Sequence, residues 1–97
     1  MDEIPKLSKK EAIILHLLVN EGSMYGLEMI RASNELKRGT VYVTLGRMAD
    51  KGYVESSLED APASGAARRV YRATGYGKRV LSFWERMRSL APSWGTV

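Results

Sequence analysis

The stretch GTVYVTLGRMADKGYV, residues 39–54, has the pattern of a short helix that ends at a glycine and leads into a strand. After a run of small residues, GAARRVYRATGYG, residues 65–77, has the pattern of a second strand with three arginines, followed by the start of another helix. This order of helix, strand, polar loop, strand and helix is typical of a winged helix-turn-helix, which sets one helix into the major groove of DNA. The sequence therefore predicts a mainly α fold with a small β-hairpin wing.

The charge is unevenly distributed along the chain. The 97 residues are enough for one domain and carry a net charge of +4. Residues 67–79 hold five basic side chains and no acidic one. Such a basic segment is either an ordinary solvated face or a surface for a polyanion, and beside the helix and wing pattern it favours double-stranded DNA as the partner.

Several classes of function are disfavoured by what the sequence lacks. There is no cysteine and a single histidine, His16, in an apolar stretch. No group of His, Asp and Glu has metal-ligand spacing, and no glycine motif for phosphate binding occurs. We therefore expect no catalytic residues, no metal and no cofactor. Because no apolar run approaches a membrane span and no signal peptide is recognisable, we also expect a soluble, cytoplasmic protein with no membrane partner.

Two helices are predicted before residue 39. In residues 7–22, Ser8 and Glu11 form a capping box, and Gly22 stops the helix. Residues 23–34 predict a second helix capped by Ser23, in which Gly26 indicates a close backbone approach to the first helix or to a phosphate. The apolar residues predicted to face inward are Ile13, Ile14, Leu17 and Leu18 in the first helix, and Met24, Leu27 and Ile30 in the second.

The third helix is the predicted recognition helix. Thr40 is its N-cap or lies in its first turn, and Gly52 ends it in a left-handed conformation. Tyr42 either faces DNA or packs in the core, and Arg47 either contacts DNA or pairs with an acidic neighbour, Asp50 or Glu35. Spacing assigns Val41, Leu45 and Met48 to the core. The opposite face then presents Thr40, Tyr42, Val43, Thr44 and Arg47.

The wing and the last helix follow. Strands are predicted at residues 53–58 and 69–72, with the wing tip at 59–66. Thr74 caps a helix over 75–90 that ends before Pro92, and its apolar residues exceed what a small domain buries, which favours a homodimer. We assign residues 1–74 to DNA binding and 75–97 to a C-terminal dimerisation helix and tail within one structural unit. The predicted dimer contacts are Tyr76, Val80, Phe83, Trp84, Met87 and Leu90, with Leu81 beside them.

Four motifs resemble the PadR-like transcriptional regulators over roughly residues 8 to 90. They are Tyr25–Glu28, Gly39–Tyr42, Arg47–Gly52 and Arg68–Gly77. The resemblance implies a homodimeric winged helix-turn-helix repressor that dimerises through its last helix and often responds to a small effector. Val43 stands where the family often has proline, and the wing lacks one arginine that the family often has.

The site prediction combines these observations. Trp84 is either part of the dimer core or a wall of an interfacial pocket that stacks a small aromatic effector. The rival function is a winged-helix module for protein interaction, against which the basic charge argues. The predicted DNA-binding residues are Tyr25, Lys37, Arg38, Thr40, Tyr42, Thr44, Arg47, Arg68 and Arg69.

Overall fold

The computed structural model of the protein describes residues 6–59 and 68–90, with backbone only for residues 89 and 90. Within these residues the chain forms helices and one three-stranded antiparallel sheet, whose central strand is the third of the three in chain order. This confirms the predicted winged-helix fold. The elements are α1 (Lys9–Glu21), β1 (Met24–Tyr25), α2 (Gly26–Ala32), α3 (Arg38–Asp50), β2 (Val54–Glu59), β3 (Arg68–Ala73) and α4 (Gly75–Leu90).

Helix α1 begins and ends as its sequence predicts. The Ser8 hydroxyl accepts a hydrogen bond from the Glu11 backbone N–H at 3.2 Å, and the Glu11 carboxylate accepts one from the Ser8 N–H at 2.9 Å. That buried carboxylate also accepts a hydrogen bond from Lys51 Nζ at 3.0 Å, just beyond the end of α3. Glu11, which completes the capping box of α1, therefore also ties α1 to the end of α3.

Helix α2 differs from its prediction. Met24 and Tyr25 form a short strand that pairs with β3, so the helix begins at Gly26 and Ser23 is not its cap. Leu27 is 40% exposed, whereas Met29 is fully buried, so the prediction that Leu27 faces inward is wrong. The pairing of β1 with β3 fixes the direction in which α2 starts, and that direction turns Met29 toward the core.

Helix α3 contributes the residues predicted for its inner face. Val41, Leu45 and Met48 are fully buried. Thr40 lies in the first turn, and Gly52 has a φ of 83°, which confirms the left-handed ending. Val41, Leu45 and Met48 pack in one core with residues from every helix and from the sheet. Its other members include Ile14, Leu15, Leu18, Met24, Met29, Leu36, Tyr53, Val54, Tyr71, Val80 and Leu81.

The β2–β3 hairpin forms the base of the wing. Its register pairs Val54 with Ala73 and continues to Glu59 opposite Arg68. Glu59, which was predicted to begin the wing tip, is therefore the last residue of β2, and residues 60–66 of the predicted tip lie outside the described residues.

Helix α4 is capped by Thr74, as predicted. The Thr74 hydroxyl accepts a hydrogen bond from the Gly77 N–H at 2.9 Å and donates one to the Gly52 carbonyl at 2.6 Å. Val80 and Leu81 are buried in the core of their own chain. The assignment of Val80 to a partner-facing surface is therefore wrong, because a residue with 3% exposure has almost no surface left to bury.

Candidate nucleic-acid interface

The outward face of α3 is the centre of the candidate site. Tyr42 is 45% and Val43 55% exposed, and Thr40 and Arg47 are exposed as well. Thr44 is half-buried, and its hydroxyl donates a hydrogen bond to the Thr40 carbonyl at 2.8 Å. The α3 face therefore offers one aromatic ring, one aliphatic side chain, hydroxyl oxygens and one guanidinium.

One alternative for Arg47 loses support in the structure. Glu35 was a possible ion-pair partner for this arginine. Its carboxylate instead lies 3.3 Å from Lys9 Nζ, at the start of α1. Glu35 thus already has an ion-pair partner at the start of α1.

The start of α3 has an unusual concentration of positive charge. Lys37 is the N-cap and Arg38 is the first helical residue, both are exposed, and the first turn contains no acidic side chain. Backbone N–H groups already make a helix N-terminus partly positive, so two cations there repel it. An anion placed beside this turn would relieve that repulsion.

The base of the wing carries a small cluster, which we call the wing-base cluster, of Tyr25, Glu59 and Arg68. The Arg68 guanidinium lies 4.5 Å from the centre of the Tyr25 ring, and the Tyr25 hydroxyl donates a hydrogen bond to the Glu59 carboxylate. This hydrogen bond, with burial and the charge of Glu59, raises the pKa of Tyr25, although Arg68 opposes the shift. The cluster holds the Arg68 guanidinium in place at the first residue of β3.

Arg69 lies on the opposite face of β3 from Arg68. Successive strand residues point to opposite faces of a sheet, and Arg69 Nη1 donates a hydrogen bond to the Ser56 hydroxyl at 3.0 Å. The two arginines, which were predicted together as wing contacts, are therefore presented on different sides of the hairpin.

Contacts connect α3 to the wing-base cluster. A Cβ atom added to Gly26 would lie 2.5 Å from Cε1 of the Tyr42 ring, so this ring rests on the backbone at the start of α2. The next residue toward the N-terminus is Tyr25, whose ring stacks with Arg68. The nearest neighbour of Gly26 is thus the Tyr42 ring, whereas the sequence analysis named the first helix or a phosphate.

Sequence reasoning missed one participant of this surface and one contact within it. Glu59 could have been found by extending the strand alternation by one residue. The partner of Gly26 had no local signal, because Gly26 and Tyr42 are far apart in the sequence and only the packing of α2 on α3 brings them together.

A second feature lies between α1 and α4, where Trp84 forms one wall of an open groove of about 460 Å³. The Arg88 guanidinium lies 4.8 Å from the centre of the Trp84 ring system and so covers one of its faces. His16 Nδ1 and Glu85 Oε2, 3.6 Å apart, form part of the rim. Residues of a single chain line the groove, and Trp84 is half-buried.

Two further features are absent from residues 6–59 and 68–90. In these residues, His, Asp and Glu side chains do not gather in threes at a place that could hold a metal ion. Among the helices of the same residues, none has the length and apolar character needed to cross a membrane.

The helices, the three-stranded sheet and the exposed basic α3 define a winged helix-turn-helix protein. Residues 14–82 match the model of the transcriptional regulator PadR-like family. The transcriptional regulator Rv3488 of Mycobacterium tuberculosis is 34% identical over an alignment of 84 residues, and the match covers 84% of this chain and 77% of that protein. The chain therefore belongs to the PadR-like family of transcriptional regulators.

Solved structures show the same fold. A PadR family transcription regulator from Clostridium difficile R20291 superposes with a TM-score of 0.78 at 27% identity, covering 89% of this chain and 93% of that one. PadR of Bacillus subtilis, solved in complex with operator DNA, superposes with a TM-score of 0.73 at 21% identity, covering 81% of this chain and 48% of that one.

Proposed function

We propose that this regulator is a cytoplasmic homodimeric repressor that binds an inverted-repeat DNA operator and responds to a small effector. The observation that carries the proposal is the exposed α3 face, which presents Tyr42 and Arg47. The basic turn of Lys37 and Arg38 lies directly before this face. Contacts at the wing base link the face to Arg68. The operator complex of the Bacillus subtilis relative, which shares the fold, supports it.

The proposed contacts fall into two groups. Residues on α3 reach base edges in the major groove and specify sequence. The basic turn and the wing arginines contact phosphates and position the protein, and Tyr25 supports Arg68 by stacking. The base-reading group consists of Thr40, Tyr42, Thr44 and Arg47, and the phosphate group consists of Lys37, Arg38, Arg68 and Arg69.

The test starts from a library of random DNA duplexes, from which the wild-type protein selects its preferred sequence. Affinities for the selected duplex are then measured for Tyr42→Ala and Arg47→Ala. Each base-reading contact that is lost should cost about 1–3 kcal/mol. Arg86→Ala is the matched control, because it removes an exposed helical arginine from α4 and should leave the affinity unchanged.

The rival function, a winged helix for protein interaction, gives a different result. Such a module would enrich no sequence from the library, and any weak DNA binding would respond to salt alone. If folded Tyr42→Ala and Arg47→Ala proteins both bound the selected duplex as tightly as the wild type, the assignment of α3 as the reading helix would be abandoned.

The effector part of the proposal centres on Trp84. The Trp84 ring forms one wall of the groove between α1 and α4. A flat aromatic molecule in the groove could stack against the face of the ring that Arg88 does not cover. The alternative is that a partner chain fills the groove and Trp84 is dimer core. Binding of flat aromatic dyes by the wild type and not by Trp84→Ala, with the oligomeric state unchanged, would favour the effector site.

A further inference from the structure

The first residue of α2 lies under the ring of Tyr42. A Cβ atom at Gly26 would stand 2.5 Å from Cε1 of Tyr42 and 2.7 Å from both Cζ and the hydroxyl oxygen. Real Cβ atoms do not approach other heavy atoms so closely, so the observed ring position requires that residue 26 has no side chain.

The ring of Tyr42 has a close neighbour outside its own helix. It rests on the backbone of α2 at Gly26. The rest of the ring is in solvent, with 45% of the residue exposed. Tyr42 is therefore an exposed side chain with a defined direction.

We propose that Gly26 is a positioning residue for DNA recognition, which acts by leaving space for the Tyr42 ring on the first turn of α2. The inference rests on the proposed function of α3 as the reading helix. Gly26 itself touches no DNA in this scheme. It determines where the Tyr42 ring points, and thereby which part of the ring meets the groove.

The atoms involved in the clash indicate that Gly26→Ala changes the position of the Tyr42 ring without preventing folding. The atoms that a new Cβ would meet are the far end of a flexible, half-exposed side chain, and such a ring can rotate into solvent. Alanine is also a better helix former than glycine. Gly26→Ala should therefore fold normally while the Tyr42 ring takes a different position.

The experiment compares wild type, Gly26→Ala, Tyr42→Ala and the double variant. NMR spectra of protein with ¹³C-labelled tyrosine rings report the ring of Tyr42, assigned by its loss in Tyr42→Ala. Binding to the duplex selected by the wild type reports recognition. We expect Gly26→Ala to shift the Tyr42 resonances and to weaken binding about tenfold, the effect of one misplaced base contact.

The double variant tests whether Gly26 acts through Tyr42. Once the ring is gone, an added Cβ meets no obstacle there, so the double variant should bind as Tyr42→Ala does. Gly75→Ala is the matched control, since Gly75 is also the first residue of a helix and its added Cβ would lie 3.6 Å from Arg79 Nη1, an ordinary contact. Gly75→Ala should bind like the wild type.

Three results would overturn the inference. They are unmoved Tyr42 resonances in Gly26→Ala, an equal loss of affinity from Gly26→Ala with and without the tyrosine, and a Gly26→Ala protein that fails to fold and is not rescued by Tyr42→Ala. If the wild type selects no duplex at all, the proposed function fails, and the resonances of Tyr42 alone decide whether Gly26 places the ring.

Discussion

At the scale of single residues, the wing-base cluster shows how one arginine is fixed by its neighbours. Arg68 lies over the Tyr25 ring, a cation–π contact that attracts the guanidinium to the face of the ring. Glu59, its register partner on β2, offsets part of its charge. The Tyr25 ring thus holds the guanidinium in place, and the nearby carboxylate of Glu59 weakens the positive field around it.

The first prediction concerns this arginine. Arg68→Ala should weaken binding to all DNA sequences alike and reduce the salt dependence of binding by about one unit of slope, because one phosphate contact is lost. The measurement is DNA affinity at several salt concentrations for selected and unrelated duplexes. Arg86→Ala, with the same change of net charge, should leave the slope unchanged.

A different outcome would reassign Arg68. If Arg68→Ala changed which duplex is preferred and left the salt slope intact, Arg68 would read a base. Since Arg69 lies on the other face of the hairpin, the same measurement on Arg69→Ala shows whether one face or both meet phosphates.

At the scale of elements, the start of α4 is fastened to the turn between α3 and β2. Thr74 joins the two through its hydrogen bonds to Gly52 and Gly77. A Cβ atom at Gly77 would overlap the carbonyl of Tyr53, a backbone group that cannot rotate away. The position of α4, and with it the groove beside Trp84, depends on this contact.

The second prediction follows from that overlap. Gly77→Ala should lower the free energy of unfolding by about 1–3 kcal/mol, because α4 must move away from Tyr53. Gly46→Ala is the control within α3, where an added Cβ meets open space and should be neutral or stabilise by up to about 1 kcal/mol. Denaturant unfolding measures both, and equal stability of the two variants would contradict the close packing at Gly77.

The elements also show what the sequence can and cannot predict. Helices α1 and α3 were predicted because the capping box at Ser8, the glycine at 52 and the apolar spacing are local signals. Strand β1 has two residues and exists only because it pairs with β3, so no local pattern marks it, and α2 was misplaced with it. The apolar spacing of α4 was visible, but the same pattern serves packing within a chain and between chains, which is why Val80 was misassigned.

At the scale of the whole molecule, tyrosines link stability to alkaline pH. Burial raises the pKa of Tyr53 and of Tyr71 above the usual tyrosine value of 10.0. The folded protein thus binds these protons more tightly than the unfolded chain, and the resulting stability is fully present below about pH 10. It is lost as the pH rises through the raised values.

The third prediction is that Tyr71→Phe loses less stability than the wild type between pH 8 and pH 11. The phenylalanine keeps the ring in the core and removes the proton that the unfolded chain releases more readily. Denaturant midpoints at the two pH values measure the difference, and adding Tyr53→Phe should flatten the profile further. Lysine titration is common to all the proteins and cancels. Parallel profiles would show that the hydroxyls are not held neutral by the fold.

The last feature at this scale is the exposed apolar surface of α4. Val80 and Leu81 already fill the core of their own chain. Tyr76 and Met87 remain 41% and 45% exposed, and Phe83 and Trp84 are half-buried. A second copy of the chain, related by a two-fold axis, would bury these side chains twice. Since full burial of one large apolar side chain contributes roughly 1.5–3 kcal/mol, even partial burial of this set can outweigh the cost of association.

The fourth prediction is therefore a homodimer through α4. Light scattering at micromolar concentration should give twice the chain mass of 10.8 kDa, and the paired change Trp84→Ala with Met87→Ala should shift the protein toward monomer. Leu27→Ala is the control, because Leu27 is similarly exposed on α2 and should leave the dimer intact. A monomeric wild type would refute the dimer, and a dimer that survives the paired change would place the interface elsewhere.

Two-fold symmetry would set two α3 helices about 34 Å apart, one turn of DNA, so the duplex selected by the wild type should be an inverted repeat with half-sites at that spacing.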